Sequence, residues 1–152
     1  MSLAATPLVE LRRVGHGLEA RLFGKLEARS ATGSVKDRCC AAMVEAAERD
    51  GRLEPGGTLL EASSGNTGLA LAALGAARGY RVVLTMPETV PESRRALLRL
   101  FGAELVLTSG SLMRPAVEQA RALAGQLPRA VWLDQFANPA NPEAHRRTTA
   151  PE

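Results

Sequence analysis

The sequence predicts an α/β protein with a doubly wound, mostly parallel sheet in three αβα layers. Two observations point there. Short apolar runs alternate with single helical patterns along most of the chain, and glycines close three of those patterns, at Gly51, Gly79 and Gly102. Strands separated by one helix pair in parallel through right-handed crossovers. The 152 residues suffice for one domain, 1–152, with a core of its own.

Pro7 to Leu11 carries a weak strand pattern, and Ala20 to Glu27 a stronger one. After a loop of small residues, Lys36 to Asp50 reads as a helix, with Ser34 as N-cap and Gly51 at C′. Cys39, Cys40, Met43, Val44 and Ala47 form its apolar stripe. The turn Pro55-Gly56-Gly57 leads into the strand Thr58 to Ala62, and a polar loop opens the Ala/Leu-rich helix Thr67 to Arg78. The alternation continues with strand Arg81 to Met86, helix Glu92 to Phe101, strand Glu104 to Thr108, helix Pro115 to Gly125 and strand Ala130 to Phe136.

Composition excludes several functions. The net charge is +3, but basic residues are interleaved with acids, and aromatics for base stacking are only 3% of the chain, which disfavours nucleic acid. Cys39 and Cys40 are adjacent in a helical pattern, a spacing that fits neither a CxxC site nor a disulfide framework and suits a reducing compartment. Met1 to Glu10 lacks the pattern of a leader, and no apolar run is long enough to span a membrane, so a cytoplasmic protein is expected. His16 and His145 have no partner motif, so no metal site is expected, and Gly33-Ser34 lacks the full P-loop pattern. Only Lys25 and Lys36 are lysines among the 19 basic residues, so each needs a reason.

In open parallel sheets, ligands bind beyond the carboxyl ends of the strands, where loops meet helix N-termini. Three segments with unusual chemistry are expected on that edge: Thr32 to Arg38, Ser63 to Gly68 and Gln135 to Pro139. Lys36 would sit in the first turn of its helix, against the positive end of the dipole, which disfavours the ammonium and favours the neutral amine of Schiff-base chemistry. Position alone fits a solvated lysine better, with Asp37 and Arg38 as surface charges. Ser63-Ser64-Gly65-Asn66-Thr67 offers hydroxyls, an amide and backbone N–H groups without charge, suited to a carboxylate or phosphate. A helix cap with polar neighbours is an equal reading. Gln135 could bind a carboxylate through a neutral amide, or simply face solvent at a strand end.

Together these segments resemble a known family. Thr6-Pro7-Leu8-Val9, Lys25-Leu26-Glu27, Gly33-Ser34-Val35-Lys36-Asp37-Arg38, Ser64-Gly65-Asn66-Thr67-Gly68, Met86-Pro87-Glu88, Gly102-Ala103-Glu104-Leu105 and Gln135-Phe136-Ala137-Asn138-Pro139-Ala140-Asn141-Pro142 occur in the order and spacing of the cysteine synthase family. The resemblance covers nearly the whole chain. It implies the N-terminal domain of a two-domain, fold type II pyridoxal 5'-phosphate (PLP) enzyme, with a mobile subdomain at about 82–131. Lys36 would hold the cofactor as a Schiff base and act as the base for the substrate's α-proton. Asn66 would bind the cofactor's ring hydroxyl, and Ser63, Ser64, Gly65, Asn66, Thr67 and Gln135 the substrate carboxylate. The implied reaction makes L-cysteine from O-acetyl-L-serine and sulfide, in a homodimer that associates with serine acetyltransferase. Relatives that use O-phosphoserine, and cystathionine β-synthase, which uses homocysteine, share these motifs. A non-catalytic binding module would also retain them.

Three departures from the family pattern stand out. Arg29-Ser30-Ala31 replaces its Asn-Pro pair, Ser63 its Thr, and Ser109 to Pro115 diverges from its Gly-Met stretch. The family's phosphate loop, and the Ser or Thr on its pyridine nitrogen, follow the point that corresponds to residue 152. The C-terminal phosphate-binding domain is therefore expected to be absent from this chain, as in a fragment or truncated product, with exposed apolar surface that favours self-association.

Overall fold

Two buried clusters, one on each face of a parallel sheet, organise the chain. The computed structural model describes residues 5–152; Met1–Ala4, part of the stretch read as leaderless, lie outside them. In chain order the elements are β1 (Leu8–Glu10), β2 (Phe23–Lys25), α1 (Lys36–Arg49), β3 (Thr58–Ala62), α2 (Asn66–Arg78), β4 (Arg81–Pro87), α3 (Glu92–Leu100), β5 (Glu104–Thr108), α4 (Met113–Ala124), β6 (Ala130–Trp132) and α5 (Ala140–Ala144). A π-helical turn, His145–Thr149, follows.

The main sheet has the order β5-β4-β3-β6 and is parallel throughout. Leu60 in β3 stands opposite both Val83 of β4 and Trp132 of β6. Leu59, Leu71, Leu84, Met43 and Val44 form the larger cluster, where α1, α2, α3 and α5 gather. On the other face α4 packs alone, with Ala116 and Ala120 against Leu60, Ala62 and Val83. The chain moves outward from β3 through β4 to β5, then returns by α4 to the far side of β3, which makes the sheet doubly wound as expected.

α2 lies closely on β4. A Cβ added at Gly75 would come within 2.2 Å of Val82 Cγ2, so only glycine lets the helix approach this closely. Gly79 ends α2 in the left-handed conformation, with φ 74°.

Two strand expectations are corrected. The run Ala20 to Glu27 forms a strand only at Phe23–Lys25, which pairs antiparallel with β1 in a separate two-stranded sheet. Thr32 to Arg38 therefore does not follow a strand of the parallel sheet. The run Ala130 to Phe136 is a strand only to Trp132, because Asp134 takes φ 50° and turns the chain out of the sheet. Among the described residues, no helix is long and apolar enough to cross a membrane, and no cluster of His, Cys, Asp and Glu could hold a metal ion.

Candidate active site

Regular hydrogen bonding in α1 begins at Lys36, with Val35 at the N-cap position. The capping bond comes from one residue earlier, where Ser34 Oγ accepts from the Lys36 N–H at 3.2 Å. Asp37 and Arg38, which follow Lys36, are buried and tightly held, contrary to a reading of them as surface charges. The Asp37 carboxylate accepts from the Thr32 N–H at 2.8 Å and from the Thr32 hydroxyl. Arg38, 3% exposed, donates from Nε to Glu27 Oε2 at 2.9 Å and from Nη1 to Glu152 Oε1 at 2.7 Å. Its Nη2 reaches Thr6 Oγ1 at 3.1 Å.

Lys25 completes this network with an ion pair to Glu152 at 2.6 Å. Hydrogen bonds from Arg38 and then Lys25 hold the Glu152 carboxyl down at about 2, and the same carboxylates push the Arg38 guanidinium up. Lys36 forms no ion pair among the described residues and is half-buried. The two lysines thus divide: one is an ion-pair partner, and the other has a fixed backbone and an uncommitted amine.

The Ser63–Gly68 loop leaves the carboxyl end of β3 and enters α2. Ser63 is 4% exposed, and its Oγ accepts from the N–H groups of Gly68 at 2.9 Å and Gly65 at 3.3 Å, which curls the loop around it. The N–H groups of Ser64, Asn66 and Thr67 have no acceptor among the described residues. The Asn66 side chain is exposed and likewise unbonded. Three free donors at a helix N-terminus make an anion cradle.

One turn beyond Lys36, α1 packs against the start of α2. Cys40, buried in α1, has its Sγ 3.7 Å from the Thr67 carbonyl oxygen. Residues four apart share a helix face, so Lys36 lies one turn from Cys40 on the side that meets the loop.

Gln135 joins the loop to β6. Its Oε1 accepts from the Thr67 hydroxyl at 2.7 Å, and its Nε2 donates to the Ala62 carbonyl at 3.0 Å. The second N–H on Nε2 makes no hydrogen bond within the described chain. The loop and Gln135 thus meet outside the carboxyl ends of β3 and β6, where the winding of the sheet reverses and α/β folds bind ligands.

Sequence reasoning missed Glu61. It is 1% exposed next to the carboxyl end of β3, and burial pushes its carboxyl up to about 7 against the hydrogen bonds it accepts from the Ala62 N–H at 3.0 Å and the Gln135 N–H at 3.1 Å. No Arg or Lys pairs with it among the described residues. The available signal was an acid inside a five-residue apolar strand read as buried.

A hollow of about 480 Å³ opens beside Ser64 and is lined by Thr89, Ser93, Arg94 and Ser111 among others. It has no carboxylate in its wall, and Arg94 forms no ion pair among the described residues. A larger groove of about 650 Å³ runs between α1 and α5, but it contains neither Lys36 nor the loop.

Comparison with known proteins agrees with the chemistry. The profile of a family described as "Pyridoxal-phosphate dependent enzyme" matches residues 1–152. "Cysteine synthase" from Staphylococcus aureus is 49% identical over 151 residues, covering 99% of this chain and 48% of its own length. "Cysteine synthase A" from Escherichia coli is 48% identical over 154 residues, with 100% and 47% covered. "Cysteine synthase 3" from Caenorhabditis elegans is 48% identical over 153 residues, with 99% and 45% covered. The chain spans about half the length of the curated relatives it matches.

Proposed function

Since the chain belongs to the pyridoxal-phosphate dependent enzymes, we propose that it carries the lysine-bearing part of a cysteine synthase site, where O-acetyl-L-serine loses acetate and sulfide takes its place to give L-cysteine. One observation carries this reading: Lys36 has an uncommitted amine on a backbone pinned by Asp37 and Arg38, next to a loop with three free N–H groups.

The residues present fit PLP. A lysine without an ion pair among the described residues suits a covalently held aldehyde, and the Asn66 amide, unbonded among them, suits its ring oxygen. When bound, PLP supplies the electron sink for the substrate carbon that loses its proton. Lys36 Nζ takes that proton and returns it. The N–H groups of Ser64, Asn66 and Thr67, with the spare N–H of Gln135, hold the substrate carboxylate, while the Ser63 hydroxyl fixes the loop and Gly65 lets the ligand approach its backbone. Movement of residues 82–131 toward the loop would exclude water. That segment is hydrogen-bonded to β3 along β4, so it would pivot on the β3–β4 seam rather than separate from it.

The reading extends to a homodimer in a reducing cytoplasm, with serine acetyltransferase as a partner. Two buried free cysteines support the compartment. The exposed apolar side chains Leu8, Val14, Leu18 and Phe23 around the β1–β2 hairpin support association.

The test is to add PLP, reduce with borohydride, map the pyridoxyl group by mass spectrometry and assay cysteine formation from O-acetyl-L-serine and sulfide. The expected result is modification at Lys36 and sulfide-dependent product. Modification elsewhere, or none, would favour a non-catalytic module.

A second reading of the donor rests on the hollow beside Ser64. A guanidinium without an ion pair among the described residues, with hydroxyls from Thr89, Ser93 and Ser111, suits a donor whose leaving group is already charged when bound, the phosphate of O-phospho-L-serine. Comparing kcat/KM for the two donors before and after Arg94→Ala separates the readings: a loss confined to the phosphorylated donor supports the second.

A further inference from the structure

We propose that Glu61 is a positioning residue that orients the side-chain amide of Gln135 toward the substrate carboxylate. This rests on the reading of Gln135 as a carboxylate ligand. The argument starts from the sheet ladder. Leu133 N–H donates to the Leu60 carbonyl at 3.1 Å, continuing the β3–β6 pairing beyond Trp132. In a regular parallel ladder the next rung would run from the Gln135 N–H to the Ala62 carbonyl, two residues on along each strand.

That rung is replaced by two side-chain bonds. The Gln135 N–H turns to Glu61 Oε2 at 3.1 Å, and the vacated Ala62 carbonyl accepts Gln135 Nε2 at 3.0 Å. The exchange accompanies the left-handed turn at Asp134, φ 50°, which lifts the chain from the sheet. Glu61 Oε1 also accepts the Ala62 N–H at 3.0 Å, so one carboxylate binds both sides of the break. With Nε2 on Ala62 and Oε1 on the Thr67 hydroxyl, the amide of Gln135 has one orientation and one spare donor.

A carboxylate is suited to this because it accepts two N–H donors at once, one on each oxygen. A glutamine at position 61 would offer one acceptor oxygen and present an NH2 group to the other donor. Either the Ala62 or the Gln135 N–H would lose its partner. If Gln135 loses it, its N–H can return to the Ala62 carbonyl and displace its own side chain. A neutral apolar residue in an apolar strand would avoid the desolvation that Glu61 bears, so stability alone does not account for the acid.

The test is a double-mutant cycle on L-serine binding to the PLP-loaded protein, paired with NMR of the unloaded chain, both at pH 8 where the Glu61 carboxyl is ionised and offers both oxygens as acceptors. L-serine has the amino-acid carboxylate but a poor leaving group. Gln135→Ala should weaken L-serine about 10-fold in the parent, the size of one hydrogen bond to a charged group, and less than about 2-fold in a Glu61→Gln background. The cycle subtracts any direct repulsion between Glu61 and the ligand, and equal losses in both backgrounds would overturn the proposal. Without ligand, the Gln135 side-chain amide proton held on the Ala62 carbonyl should be protected from exchange in the parent and unprotected in Glu61→Gln, with both proteins retaining the dispersed spectrum of the fold. Unchanged protection would also overturn it. If Gln135→Ala leaves L-serine affinity intact in the parent while Glu61→Gln still frees the amide, Glu61 orients Gln135 but the carboxylate role fails.

Discussion

The Glu61 carboxylate accepts the backbone N–H of Gln135 at 3.1 Å from within a strand whose five residues are all buried. Its charge has no cationic partner among the described residues, and burial raises its carboxyl from 4.5 to about 7. The folded protein therefore holds a proton that the unfolded chain releases between those values. Its contribution to stability is full below about 4.5 and falls as pH rises toward 7. Urea unfolding at pH 5 and pH 8 should show a decline from this group on the order of 3 kcal/mol in the parent. In Glu61→Gln that decline should be absent.

Arg38 sits between two carboxylates while 3% exposed. Arg38→Ala leaves Glu27 and Glu152 facing each other without their shared cation and should cost about 3 kcal/mol in chemical denaturation. Arg38→Lys should recover little of it, because an ammonium cannot bridge both carboxylates with the fork of a guanidinium.

Glu152 gives the opposite pH dependence to Glu61. Its carboxyl is held at about 2 by Arg38 and Lys25, so the stability it contributes is present above about 4.5 and is lost as pH falls through 2. Acid unfolding followed by circular dichroism should begin at higher pH in Glu152→Gln than in the parent.

Lys36→Ala should separate chemistry from folding. Its amine has no ion-pair partner among the described residues, so unfolding free energy should change by less than about 0.5 kcal/mol. Capture of a pyridoxyl group at this position, measured by mass spectrometry, should be abolished.

Gly75→Ala tests the contact between α2 and β4. The new methyl meets Val82 Cγ2 at 2.2 Å, and the resulting shift of helix or strand should cost about 1–3 kcal/mol in thermal or urea unfolding.

The fold was legible because its helices and inner strands obey local rules. Thr58–Ala62 and Glu104–Thr108 have the bounds their apolar runs predict, and glycines mark the ends of α1, α2 and α3. Where tertiary contacts override local preference, legibility stops. Leu133 to Phe136 reads as strand, but Asp134 turns out of the sheet and Glu61 takes the Gln135 N–H. Ala20 to Glu27 is truncated in the same way, since only Phe23–Lys25 finds a partner strand.

Lys36, Asn66, Thr67 and Gln135 stood out by residue type and spacing, and the fold brings the loop and Gln135 together. Glu61 and Arg38 did not, because their partners are remote in sequence. Glu152 lies 114 residues from Arg38, and Gln135 lies 74 from Glu61. Arg38 belongs to a run from Asp37 to Ala41 that is buried on every side, so helical periodicity could not separate an inner face from an outer one.

The unequal commitment of the two lysines has a practical side. Lys25 is 14% exposed and bonded to both Glu152 and the Thr6 carbonyl, which shields it from acylating and reductively alkylating reagents. Every other basic side chain except the two histidines is a guanidinium, inert to that chemistry at neutral pH. The protein thus offers one addressable side-chain amine, at Lys36. A fluorescent or spin-labelled aldehyde fixed there would report from the mouth of the Ser63–Gly68 loop without any engineered cysteine.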